Sequence, residues 1–380
     1  MRVYLDNAAT TQLDPEVFEA MKPYMLEFYG NPSSIHAHGR ATRSALEKAR
    51  KLTAELLGAS PSEIFFTSGG TEADNTAIKC SIETFGIKHA VTSRLEHHAV
   101  LHVLEDLAKR HIIRLDFVET DKKGNINTQH LESLLAANER SLVSLMHGNN
   151  EIGNLNNLDL LGNICEAHGA IFHSDTVQTL AHYPLNLSQL KVHCIAGSAH
   201  KFHGPKGVGI LYVKKGHKIN PFLHGGSQER NMRGGTENIY GIMGMAKALE
   251  MAQEGLEAHR RHILSLKSAM IEGLQEKVPG VSFNGASAEL EQSLYTILNV
   301  SLPPSEDNDM LLFNLDLKQI SASGGSACSS GSSMGSHVLK ALQADPARGH
   351  IRFSFSKYNT TEEVQYVVNK LAEMYSTIKV

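Results

Sequence analysis

A lysine set between two apolar runs is the first residue in this sequence whose position suggests chemistry. Lys201 lies in Ser198-Ala199-His200-Lys201-Phe202-His203-Gly204-Pro205-Lys206-Gly207, between Val192–Ala196 and Gly207–Val213, both of which read as buried strands. Burial lowers the pKa of a lysine and leaves its amine a nucleophile able to form a Schiff base with an aldehyde. Taken alone, Lys201 and Lys206 read equally well as loop charges, so residues elsewhere must decide. Asp175 closes the run Phe172-His173-Ser174-Asp175, 26 residues before Lys201. Thr67-Ser68-Gly69-Gly70-Thr71-Glu72 follows a strand-like run and opens a helix, where glycines, free N–H groups and the Thr71 hydroxyl suit a small phosphate. No G-x-x-x-x-G-K-[ST] and no G-x-G-x-x-G occurs, which disfavours nucleoside triphosphates and dinucleotides. A lysine for an aldehyde, a carboxylate for a protonated pyridine nitrogen and a phosphate cup are together the parts that hold pyridoxal 5′-phosphate.

A thiol is the second candidate. Cys328 stands inside a Gly/Ser run from Ser321 to Ser336, a composition that cannot pack a core and predicts a mobile polar loop. Free cysteines are usually buried, so a thiol on such a loop suits a nucleophile that attacks and then carries its product away. Cys80, Cys165 and Cys194 lie in apolar stretches and read as core. The four cysteines show no C-x-x-C pair and no metal-ligand spacing, which predicts no metal centre and a reducing, cytoplasmic setting. His36 and His38 have neither carboxylate nor cysteine beside them and read as structural.

The elements that must position these groups alternate. Ile64–Thr67, Ala90–Thr92, Ile112–Val118, Leu142–Met146, Ala170–Phe172 and Val192–Ala196 read as strands, with helical stretches between most of them. That pattern predicts an α/β fold with a mainly parallel sheet, helices on both faces, and active groups outside the carboxyl ends of the strands. A long helical pattern from Met245 to Lys277, interrupted by Gly255 and Gly273, leads out of this region. Short strands (Ser282–Phe283, Thr296–Leu302, Ile351–Phe355) and helices follow. The last helix opens on the capping box Thr360-Thr361-Glu362-Glu363. The expected division is a large cofactor-binding domain of residues 15–255 and a smaller α+β domain of residues 1–14 and 256–380 that carries the Cys328 loop. With 380 residues, 41% hydrophobic and 20% charged, the chain reads as soluble and globular. A net charge of −4 gives no footprint for nucleic acid, and no apolar run reaches the length of a membrane span.

Five motifs then occur in order: Ser68-Gly69-Gly70-Thr71-Glu72, Glu96-His97, Asn149-Asn150-Glu151-Ile152-Gly153, Ser198-Ala199-His200-Lys201 and Gly324-Gly325-Ser326-Ala327-Cys328. With them the sequence resembles the NifS-like cysteine desulfurases, fold-type I pyridoxal-phosphate-dependent transferases of the class-V aminotransferase family. The resemblance runs from Tyr4-Leu5-Asp6-Asn7 to Ile351-Arg352-Phe353-Ser354. It implies that Lys201 bonds the cofactor aldehyde, Asp175 pairs with the ring nitrogen, Gln178 contacts the ring oxygen and His97 stacks on the ring. It implies that Gly70, Thr71, Ser198 and His200 hold the phosphate, while Thr236 reaches the phosphate of a neighbouring subunit in a homodimer. Asn150 and Arg352 would bind the carboxylate of L-cysteine, a role that a guanidinium fork suits. His97 and Lys201 would carry protons, both being able to titrate near neutral pH when suitably placed. Cys328 would take the sulfur as a persulfide and pass it to an acceptor protein, with L-alanine as the other product. Ala199 stands where many members have glycine. Selenocysteine cleavage, transamination and a catalytically silent scaffold are the alternatives. Transamination needs no thiol on a loop, and a silent scaffold need not keep lysine, aspartate and cysteine together.

Overall fold

The computed structural model describes residues 1–138, 140–324 and 335–376. Its strands are β1 (Val3–Tyr4), β2 (Ile64–Thr67), β3 (His89–Thr92), β4 (Arg114–Phe117), β5 (Ser141–Ser144), β6 (Ile171–Asp175), β7 (Cys194–Ser198), β8 (Gly209–Val213), β9 (Ser282–Phe283), β10 (Ile297–Pro304), β11 (Ile320–Ser321) and β12 (Arg348–Ser354). The α-helices are α1 (Pro15–Leu26), α2 (Ala37–Leu56), α3 (Gly70–Phe85), α4 (His98–Lys109), α5 (Thr128–Ala136), α6 (Leu158–Ala167), α7 (Ile239–Glu254), α8 (Leu256–Lys277), α9 (Leu311–Leu317), α10 (His337–Ala341) and α11 (Thr361–Tyr375).

Seven strands form one sheet in the order β2-β8-β7-β6-β5-β3-β4. Neighbours from β4 across to β7 run parallel, and β8 runs antiparallel to both β7 and β2. Apart from edge strand β4, every strand residue of this sheet is buried, so these strands read as continuous apolar runs and not as alternation. Alternate residues still point to opposite faces. Val91, Val143, Phe172 and Ile195 pack with α1, α2, α5, α6 and α7. Ala90, Leu142 and Ile171 pack under α3 and α4, and Phe65, Ala196 and Leu211 pack under the start of α3.

A second apolar cluster lies around β10, which pairs antiparallel with β12 and β9 under α8 and α11. Val3 and Leu5 join it, and β1 pairs parallel with β11. The helical pattern from Met245 onward is two helices meeting at Gly255. Gly273 stays inside α8 because a Cβ there would lie 3.1 Å from Val368 Cγ1 of α11. The box at Thr360 forms as expected, with Glu363 N donating to Thr360 Oγ1 and Glu363 Oε2 accepting from Thr360 N. His36 caps α2, its Nδ1 accepting from Gly39 N at 3.3 Å. β6 and β7 run further than their apolar residues suggest. Ladder pairing of Asp175 with Ala196, and of Ser198 with Gly209, keeps the polar ends extended. Among the described residues no helix is long and apolar enough to cross a membrane.

Candidate active site

The carboxyl ends of β2, β3, β5, β6 and β7 open onto one hollow, where such sheets bind their ligands. β6 delivers Asp175 to it, and β7 delivers Ser198 followed by a single 3-10 turn, Ala199–Lys201. The turn is closed by Phe202 N and Gly204 N, which donate to Ala199 O at 3.1 and 2.9 Å. Lys201 Nζ donates to the carbonyls of Ala8 and Ala9 at 2.7 and 2.9 Å. Gln178 Nε2 reaches the Ala8 carbonyl as well, at 3.0 Å.

Three carboxyls meet here. Asp175 Oδ1 accepts from Val177 N at 2.8 Å. Burial pushes the Asp175 carboxyl up to about 6, against the pull of Val177 N–H and Lys201. Asp74 and Glu96 are buried beside it, and burial, with the charge of Asp175 adding to it, holds both well above the usual carboxylate range. Glu96 Oε1 accepts from Met146 N at 2.9 Å, while Glu96 Oε2 and Asp74 Oδ1 have no hydrogen-bond partner among the described residues. Asp74 Oδ1 is within 3.3 Å of His173 Nε2, yet the two do not align as a hydrogen bond.

His97 caps α4, its Nδ1 accepting from Ala99 N at 3.2 Å, so the hydrogen of the neutral ring sits on Nε2. Burial, then Lys201, pushes it down to about 4. Burial thus favours the uncharged imidazole, with its N–H on Nε2.

Gly70, Thr71, Ser198 and His200 gather with Thr10 and Lys206 around a shallow cup at the start of α3. A Cβ at Gly70 would lie 2.6 Å from Val177 Cγ2, so glycine is needed for α3 to begin this close to β6. His200 Nδ1 is 3.1 Å from Thr10 Oγ1, and burial pushes the ring down to about 4. Glu72 braces the cup, accepting from Ser68 N and from Arg233 Nε, each at 3.0 Å.

Arg352, at the opposite wall, donates from Nη1 to Asn150 O and from Nη2 to Asp6 Oδ1, both at 2.8 Å. Its Nε has no partner among the described residues. Asn149 fastens the neighbouring loop, with Nδ2 donating to Leu95 O at 2.8 Å and Oδ1 accepting from the amides of Glu151 and Ile152. The structure thus brings Lys201, Asp175, His97, Gln178, Asn150, Gly70, Thr71, Ser198, His200 and Arg352 together. It does not bring Thr236, which lines a separate hollow with Ser68, Glu229 and Arg233. Cys328 lies outside the described residues. Cys80, Cys165 and Cys194 are buried, and burial pushes the thiols of Cys80 and Cys165 up to about 12 and that of Cys194 higher.

Sequence reasoning missed Asp74, Asp6 and the Ala8 and Ala9 carbonyls. Asp74 stands four residues after Gly70, one turn along the same helix face, a spacing that marks it for the same hollow. The carbonyls leave no mark in a sequence. The residues present fit pyridoxal 5′-phosphate: a cradle at a helix start that a Cβ at Gly70 would fill, the buried Asp175 carboxyl at the end of β6, and the Lys201 amine lining the same hollow.

The class-V aminotransferase family model matches residues 3–367. A cysteine desulfurase IscS of Dictyoglomus turgidum is 43% identical, covering 99% of this chain and 95% of its own. Among solved structures, a NifS-like protein superposes with a TM-score of 0.91 at 39% identity over 100% of both chains. A structure of SspA in complex with cysteine matches 95% of this chain and 100% of its own, with a TM-score of 0.81 and 29% identity.

Proposed function

The chain belongs to the class-V aminotransferase family, and we propose that within it this protein is a cysteine desulfurase, turning L-cysteine into L-alanine. The observation that carries this reading is the convergence of Lys201, Asp175 and the start of α3 on one hollow walled by Arg352. Bound pyridoxal 5′-phosphate supplies an electron sink for bond breaking at an amino acid α-carbon. Lys201 would hold it through its amine and Asp175 would face its ring nitrogen. Gln178 would contact its ring oxygen and His97 its ring face. Thr71, Ser198, His200 and the α3 amides would hold its phosphate.

The chain's own groups divide the remaining work. Arg352 binds the cysteine carboxylate through Nε and its outward N–H bonds, beside Asn150. Lys201 Nζ, held in place by the Ala8 and Ala9 carbonyls, would take the α-proton of the substrate and return it to the same carbon before alanine leaves. His97 presents an N–H donor to the same hollow. Cys328 attacks the substrate sulfur as a thiolate. An S–S bond forms as the Cβ–S bond breaks, and the electron pair left on carbon is protonated to give alanine. Cys328 keeps the sulfur as a persulfide until an acceptor protein takes it for an iron–sulfur cluster or another sulfur-containing product. The other three thiols are sealed in the core, which supports this assignment and suits a reducing, cytoplasmic setting.

We further read the protein as a homodimer, with Thr236 serving the phosphate of the partner site because it lies away from the hollow of its own chain. In this reading residues 15–255 carry the cofactor, and residues 1–14 with 256–380 form the smaller unit. The test is direct. Purified protein given pyridoxal 5′-phosphate should gain a visible absorption band and release alanine from L-cysteine, and Lys201→Ala should do neither. A wild-type protein that gains no band would overturn the reading.

A further inference from the structure

His182 touches Lys201 from behind the hollow. Its Nε2 is 3.1 Å from the Lys201 carbonyl oxygen, and its Nδ1 is 3.1 Å from the Tyr295 hydroxyl. A carbonyl only accepts, so Nε2 carries the hydrogen. Nδ1 is then the lone-pair nitrogen, and the Tyr295 O–H must donate to it. The ring is fixed in one tautomer with both nitrogens used, and burial favours its uncharged form.

Tyr295 brings the other half of the molecule with it. It precedes β10 and belongs to the apolar cluster under α8 and α11. The hydroxyl of the adjacent Tyr183 accepts from Tyr295 N at 3.1 Å and donates to Ser293 O at 3.4 Å. From the far side Lys267 of α8 donates to Ser293 Oγ and to Leu294 O, each at 2.8 Å. Leu294 N donates to Gly153 O at 2.7 Å, next to the loop that carries Asn150. Residues 293–295 therefore meet both the Lys201 turn and the wall opposite it. The chain enters His182 through Ala181 at φ 69°, in the left-handed region that favours glycine. A non-glycine residue stays there only where its surroundings dictate it.

We propose that His182 is a positioning residue for Lys201. Its imidazole, locked by the Tyr295 hydroxyl, holds the Lys201 carbonyl and transmits the seating of residues 293–295 to the lysine amine. This rests on Lys201 being the cofactor-bearing lysine. Phe202 N and Gly204 N secure the Ala199 side of the turn and Thr11 ties the His200 carbonyl and the His203 amide on either side of the lysine, while His182 holds the carbonyl of Lys201 itself.

The experiment compares His182→Leu, His182→Gln and Tyr295→Phe as holoenzymes, with melting temperature as the check on folding. The readouts are the pH midpoint of the visible cofactor band and the separate values of kcat and KM for L-cysteine. His182→Leu should move the midpoint by about half a pH unit or more and lower kcat about tenfold, with KM within about threefold. His182→Gln keeps an N–H donor and should return the midpoint to the wild-type value and kcat to within about threefold of it. Tyr295→Phe removes one hydroxyl from a packed ring and should fall between the two, which keeps the test open should His182→Leu not fold. A folded His182→Leu or Tyr295→Phe with wild-type midpoint and kcat would overturn the positioning role alone, as would a His182→Gln no better than His182→Leu. Absence of the visible band in wild type would instead sink the functional reading and this role with it.

Discussion

Arg352 Nη2 lies 2.8 Å from Asp6 Oδ1, across 346 residues of sequence. The same carboxylate oxygen accepts from Ser323 Oγ at 2.8 Å, and Ser323 and Arg352 exchange backbone hydrogen bonds. One oxygen thus joins the exit of β1, the wall strand β12 and the residue from which the chain departs toward Cys328.

That junction orients the guanidinium before substrate arrives. Hydrogen bonds to charged groups are worth about 1.5–3 kcal/mol. Arg352→Gln should therefore raise KM for L-cysteine by roughly ten- to a hundredfold, and Asp6→Asn should raise it less. Steady-state kinetics decide this. An unchanged KM in Arg352→Gln would remove the arginine from carboxylate binding.

Asp175 carries a pH signature. Its carboxyl is raised from its ordinary value to about 6 by burial. A raised folded-state pKa gives stability that is complete below the unfolded value near 4 and is lost as pH rises through 6. Cofactor-free Asp175→Asn should lack this loss, so its stability relative to wild type should grow by about 1–3 kcal/mol between pH 4 and pH 7. Urea unfolding across that range measures it. In the loaded enzyme the same substitution should slow α-proton removal, because an amide cannot balance a protonated ring nitrogen.

His147 has the opposite sign. Burial pushes its imidazole down to about 4 while Nδ1 stays 2.9 Å from Thr179 Oγ1. The stability it gives is complete above the unfolded value near 6.5 and is lost as pH falls toward 4. His147→Gln should flatten the acid limb of the stability profile by about 2–3 kcal/mol, whatever its offset at neutral pH. A limb parallel to wild type would refute the burial argument.

One buried ion pair ties α2 to β2, the strand that leads into Ser68. Arg50 of α2 binds both oxygens of Glu229, at 2.8 and 2.7 Å, and Glu229 Oε2 also accepts from Phe66 N at 2.8 Å. Both side chains are almost fully buried. Arg50→Met strands a buried carboxylate and should cost about 3–5 kcal/mol in urea unfolding, with Glu229→Gln recovering part of it in the double variant. A cost under about 1 kcal/mol would mean that the pair does not hold this region together.

Much of the site was legible because its residues advertise themselves locally. Lys201 and Asp175 stand at the ends of apolar runs, and Gly70 and Thr71 open a helix directly after a strand. What was hidden arises from contacts distant in sequence. The Ala8 and Ala9 carbonyls that hold Lys201 Nζ have no side-chain signature. Asp6 acquires Ser323 and Arg352 only when the two ends of the chain meet, and His182 acquires the Tyr295 hydroxyl only when the residues before β10 pack against it. The burial of His97 beside Lys201, which favours its uncharged form, is likewise a property of the folded site. In the fold, the insertion of antiparallel β8 between β2 and β7 was equally out of reach. A buried strand reads the same in either direction.

The central claim is that sulfur leaves L-cysteine for one thiol of this chain. Wild-type protein loaded with pyridoxal 5′-phosphate should be exposed briefly to L-cysteine, blocked with an alkylating agent, digested and examined by mass spectrometry while alanine is counted. The account predicts one added sulfur on the peptide containing Cys328 for each alanine released in the first turnover, and neither product from Cys328→Ser. Added sulfur on Cys80, Cys165 or Cys194, or full alanine release by Cys328→Ser, would contradict it.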